Sequence, residues 1–78
     1  MLDTSLRYVI TGGAGLVGQN LVVRLREAGC ARVCVIDRHA HNLAILRELH
    51  PVVETHCSDM LAPGLAQQAL READVVVM

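Results

Sequence analysis

Short apolar runs alternate with longer amphipathic stretches along the whole chain. Leu6 to Thr11 (LRYVIT) is an apolar run stopped by Gly12 and Gly13, which reads as a first strand. From Leu16 to Ala28 the apolar residues Val17, Leu21, Leu25 and Ala28 recur at spacings of four, four and three. That is one face of a helix, and Gly29 stands where a helix C-cap belongs. Arg32 to Ile36 (RVCVI) is a second strand ending at Asp37. His39 to His50 carries Leu43, Leu46 and Leu49 at helical spacing, and Pro51 blocks its continuation. Val52 to Cys57 (VVETHC) is a third strand, followed by a polar turn at Ser58 and Asp59. Pro63 to Ala73 reads as a third helix, with Pro63 in its first turn and Leu65, Ala69 and Ala73 on one face. Asp74 to Met78 (DVVVM) opens a fourth strand.

Strands and helices in strict alternation, joined by short connections, predict a parallel α/β sheet with right-handed crossovers. No hairpin signal competes, so the sheet is expected to be open and doubly wound, in the order 3-2-1-4. Composition agrees. The 78 residues allow one domain at most, 53% of them are hydrophobic, and Tyr8 is the sole aromatic. A core of Val, Leu, Ile and Ala is what a parallel sheet covered on both faces requires.

Charge and cysteine usage narrow the function. Seven arginines and eight acidic residues give a net charge of -1 without a basic cluster, so neither nucleic acid nor an anionic membrane is an expected partner. Asp3 stands where a secretory signal needs positive charge, and no apolar run is long enough to span a bilayer. Cys30, Cys34 and Cys57 form no CxxC pair and read as small buried hydrophobes in a reducing, cytoplasmic setting. His39 and His41 are two residues apart, on different helical faces, and His50 and His56 lack a Cys or acidic partner at ligand spacing. No metal site is expected.

The glycines between the first strand and first helix carry the chemistry. A helix that starts at a strand's carboxyl end aims its free N–H groups and positive dipole end at the crevice above the sheet, which suits a diphosphate. Gly12 or Gly13 permits the sharp turn, Gly15 removes a Cβ from the path of the ligand, and Gly18 allows close packing of helix on strand. An acidic residue, Asp37, stands at the tip of the second strand, 19 positions after Gly18, as the dinucleotide-binding fingerprint expects. The alternative for Asp37, outweighed by the combined fingerprint, is a helix N-cap or turn role.

Thr11-Gly12-x-x-Gly15-x-x-Gly18 resembles the short-chain dehydrogenase/reductase superfamily. The TGGAGLVG form, with Asp37-Arg38, Asp59 and the final ADVVVM, is most similar to its extended branch of NAD-dependent epimerases and dehydratases. The resemblance covers nearly the whole chain but only the cofactor half of that family's fold. It implies an N-terminal half of a Rossmann sheet, incomplete and ending within the fourth strand. It also implies that Gly12, Gly15, Leu16, Val17 and Gly18 line the diphosphate, and that Asp37 accepts from the adenosine ribose. Asp37 favours NAD by repelling a 2'-phosphate, while the neighbouring Arg38 keeps NADP as second choice. Asp59 would meet the adenine amino group beside Met60, or else cap the third helix.

The resemblance also implies what is lacking. The family's chemistry uses a Tyr and a Lys four residues apart, the Lys lowering the Tyr pKa. This sequence has no Lys, and Tyr8 belongs to the first strand as a packing residue. The chain is therefore expected to bind a dinucleotide without turning over a substrate. Three readings follow: the N-terminal part of an epimerase/dehydratase-like oxidoreductase, a stand-alone non-catalytic nucleotide-binding or sensing module, or an interaction subunit. In the last, the fourth strand pairs with another chain or with a second copy.

Overall fold

Tyr8, Ile10, Val33 and Val35 turn their side chains to one face of a four-stranded sheet, while Val9, Cys34 and Ile36 turn to the other. This period-two alternation gives both faces an apolar layer to cover. The computed structural model describes residues 3–12, 14–58 and 64–77, without the side chains of Leu65 and Ala66. The elements are β1 (Tyr8–Thr11), α1 (Leu16–Glu27), β2 (Val33–Asp37), α2 (Ala40–Leu49), β3 (Glu54–Cys57), α3 (Leu65–Glu72) and β4 (Val75–Val77).

All pairings are parallel, in the order β3-β2-β1-β4. The chain steps outward from β1 to β2 to β3, then returns to place β4 on the far side of β1. With one hand of crossover, that reversal moves the connecting helix to the opposite face. Accordingly, Val22 and Leu25 of α1 and Leu43 and Leu46 of α2 pack on the Tyr8 and Ile10 face, whereas Ala69 of α3 packs on the Val9 face. Fully burying Leu43 or Leu46 contributes roughly 1.5–3 kcal/mol each.

Helix α1 ends where the sequence places its stop. Gly29 has φ +96, its N–H donates to the Arg26 carbonyl, and the Cys30 N–H donates to the Leu25 carbonyl. This is the paired bonding of a Schellman cap, and Leu25 and Cys30 close it by meeting in the core.

Two helical faces differ from the spacing. Val17 is 83% exposed and Leu49 is 62% exposed, although both fit the apolar period of their helices. Each lies in a terminal turn, and the middle turns supply the packed side chains. Val22, outside the four-four-three series, takes the core position instead. Strand β2 extends to Asp37, which pairs with Cys57, and β3 begins at Glu54, with Val53 buried just before it. Pro63, placed by sequence in the first turn of the third helix, lies outside the described residues. None of the described helices is long and apolar enough to cross a membrane.

Candidate functional site

The carboxyl ends of β1, β2 and β3 form one rim. Gly12 leaves β1 with φ +69, a left-handed conformation that glycine adopts without strain, and its N–H donates to the Ile36 carbonyl at 2.8 Å. The loop then bends back so that the Ala14 N–H donates to Asp37 Oδ2 at 3.2 Å. Asp37 Oδ1 accepts from the His39 N–H at 2.8 Å and lies 2.9 Å from His39 Nδ1. The Asp37 carbonyl in turn accepts from the Ser58 N–H at 3.0 Å, drawing in the end of β3. Between these groups lies a cleft of about 440 Å³, lined by Gly12, Gly15, Ile36, Asp37, Arg38, His39, Asn42 and Ser58.

Gly15 is the N-cap of α1, and its φ of -75 and ψ of 177 are open to any residue. Among the described residues, its two chain neighbours apart, a Cβ built there would meet nothing closer than the Gly12 carbonyl oxygen at 3.9 Å. Neither the backbone conformation nor packing among those residues calls for glycine at this position. The first turn of α1 carries no acidic side chain, and among the described residues no side chain caps it. Its free N–H groups and positive dipole end therefore remain at the rim. Gln19 Nε2 donates to the Ala14 carbonyl at 2.8 Å and braces the loop from behind.

Asp37 is 7% exposed, and burial pushes its carboxyl upward. The hydrogen bonds from His39 and Ala14 outweigh that burial, so the group is held below the ordinary carboxylate range and stays ionised.

Residues 8–78 match the model of the NAD-dependent epimerase/dehydratase family. The chain belongs to that family. Membership implies an NAD(P)-binding, oxidoreductase-type domain with a nicotinamide dinucleotide as cofactor. The chain is also similar to a mycocerosic acid synthase-like polyketide synthase of Mycolicibacterium smegmatis. The two are 32% identical over 72 residues, covering 85% of this chain and 3% of the relative. It thus spans a very small share of that relative's length.

Of the positions singled out by sequence in this epimerase/dehydratase-family chain, Gly12, Gly15, Asp37 and Arg38 meet at the cleft. Gly18 is half-buried in the first turn of α1, and Leu16 is 80% exposed next to Val17. Gly13, Asp59 and Met60 lie outside the described residues. His39, Asn42 and Ser58 join the cleft without having been foreseen. Their signal was positional, since all three follow the carboxyl end of a strand, where ligands of open α/β sheets bind.

Tyr8 sits at the opposite end of β1. Its hydroxyl donates to the Asp3 carbonyl at 2.9 Å, and burial pushes its phenol up, as suits a packing residue. His56 differs from its sequence reading: it does have an acidic partner, because its Nε2 lies 2.7 Å from Glu54 Oε2. Alternation along β3 puts residues 54 and 56 on one face. Arg7 also reaches Glu54 Oε2, at 3.0 Å, and tethers the start of β1 to β3 across β2.

Proposed function

We propose that this chain binds the adenosine diphosphate portion of a nicotinamide dinucleotide in the cleft between Gly12 and Asp37, as the cofactor-holding part of an epimerase/dehydratase-like oxidoreductase. The observation that carries the reading is Gly15: the described residues give no internal reason for its missing Cβ, and it lines the cleft beside a helix end without a side-chain cap. A ligand lying against the main chain supplies that reason.

In this reading the N–H groups of Leu16, Val17 and Gly18 hold the diphosphate. Asp37 uses its remaining lone pairs to accept from the ribose hydroxyls. Its depressed pKa keeps it charged, which disfavours a 2'-phosphate and puts NAD ahead of NADP, while Arg38 lies over the adenine. Asp59 and Met60 complete the adenine end. When bound, the nicotinamide supplies hydride exchange. The acid–base partner for that exchange is not among these 78 residues, which include no Lys and whose one Tyr is buried at the other end of β1. The small share of the much longer polyketide synthase that the chain matches supports a role as one part of a larger catalytic unit.

Titration calorimetry with NAD, NADP and ADP-ribose tests this. Weak binding is expected, with ADP-ribose close to NAD, because the proposed contacts all reach the adenosine diphosphate end. Equal heats for NAD and NADP, or no binding of ADP-ribose, would overturn it.

A second reading has its own observation. Strand β4 is an edge of the sheet, and Val76 on it is 42% exposed. This favours an interaction subunit whose sheet is completed by another chain or by a second copy.

A further inference from the structure

The face of the sheet under α3 carries a polar cluster that the cofactor cleft does not use. Cys34 on β2 pairs with Glu54 on β3, and His56 follows two residues later on the same face. The Cys34 Sγ, a Glu54 carboxylate oxygen and a His56 ring nitrogen all lie within 4.8 Å of one another. Glu54 and His56 border a pocket of about 220 Å³ whose walls also include Arg7, Gln68 and Glu72.

We propose that Cys34, Glu54 and His56 form a binding site for a zinc-like divalent cation, with an open coordination position facing the pocket beneath α3. Thiolate, imidazole and carboxylate are the ligand types zinc takes, and three protein ligands with one open position are the pattern of its exchangeable sites. Tetrahedral bonds of ~2.0–2.3 Å separate ligand atoms by roughly 3.3–3.7 Å. No pair among atoms within 4.8 Å of one another need therefore close by more than about 1.5 Å, and the 2.7 Å Glu54–His56 contact must open slightly. Rotamer adjustments of side chains on adjoining strands cover such a change.

One further feature fits. Arg7 Nε is buried without an acceptor among the described residues, and a solvent-derived ligand on the ion offers one. Binding forms the sulfur–metal bond as the S–H bond breaks and its proton passes to solvent, so the ion must displace a proton from a buried thiol. Without an ion, Glu54 joins Arg7 and His56 in a polar network on this face, and experiment separates the two.

Cobalt(II) titrated into the chain is expected to give a thiolate-to-metal charge-transfer absorption saturating at one ion per chain and displaced by zinc. Glu54→Gln and His56→Asn should each weaken the apparent affinity by about 10-fold or more, the loss typical even of outer-shell changes. Cys34→Ser should abolish the band, and Cys57→Ser should keep it. Zinc should raise the melting temperature of the parent chain and leave His56→Asn unmoved. If Cys34→Ser does not fold, His56→Asn decides, since its position is partly exposed. An absent charge-transfer band, a band lost with Cys57, or a zinc-induced shift that survives in His56→Asn would overturn the site.

Discussion

The Ala14 N–H donates to Asp37 Oδ2 at 3.2 Å, so the glycine loop after β1 and the tip of β2 are one hydrogen-bonded unit. Asp37→Asn replaces one carboxylate oxygen with an amide that must face a main-chain or ring donor. Leaving a buried donor unsatisfied costs about 1–3 kcal/mol. The variant is expected to lose stability of that order in urea denaturation and to bind NAD more weakly, with NADP losing less. Unchanged stability would mean that the tie between loop and strand contributes nothing.

The same carboxylate sets an acid limit. Its folded pKa lies below the unfolded value of ~3.9, so the unfolded chain binds more protons in the window between them. Its stabilisation is therefore fully present above about pH 5 and is lost as pH falls through the lower folded pKa. Glu54, held low first by its hydrogen bond from His56 and then, against its burial, by Cys34 and Arg7, acts with the same sign. Stability measured between pH 6 and 3 should fall more steeply for the parent chain than for Asp37→Asn, and parallel slopes would contradict this.

Much of this was legible along the chain. The alternation of short apolar runs with 3.6-period stretches yields the element order and, through the crossover rule, the sheet order 3-2-1-4. Gly29 was readable because it acts within its own turn, whereas the tie from Asp37 to Ala14, 23 residues away, was not. Val17 and Leu49 were misplaced because periodicity marks which residues share a face, not where the sheet beneath that face ends. The meeting of Cys34 with Glu54 and His56 was invisible because it depends on the register between β2 and β3. Local spacing does not encode that register.

The core leaves little reserve. Leu46 is fully buried between α2 and the sheet, and Leu46→Ala should cost about 2–5 kcal/mol. A chain of 78 residues at ~0.05–0.15 kcal/mol per residue holds only ~4–12 kcal/mol in all. The variant is expected to melt far below the parent, or to be unfolded at 25 °C by circular dichroism.

Strand β4 exposes Val76 at the sheet edge, a feature that invites pairing with another strand. Concentration-dependent self-association is expected in sedimentation velocity, and Val76→Lys should shift it toward monomer. A parent chain that stays monomeric across the concentration range would remove the case for pairing through this edge.

Gly12 and Gly15 separate a backbone requirement from a ligand requirement. Gly12→Ala forces a side chain into φ +69, at a cost of roughly 1–2 kcal/mol. Gly15→Ser meets no such barrier, since its backbone angles are ordinary and, among the described residues beyond its chain neighbours, nothing lies closer than 3.9 Å to a new Cβ. Serine also caps helices better than glycine by a few tenths of a kcal/mol, and it restricts the unfolded chain by a further ~0.4–1 kcal/mol. Gly15→Ser is thus expected to be more stable than the parent and yet to lose dinucleotide binding, because its side chain enters the cleft. Paired melting and calorimetric measurements decide the point. A stabilised Gly15→Ser chain that binds NAD as well as the parent would show that the diphosphate does not lie against this loop.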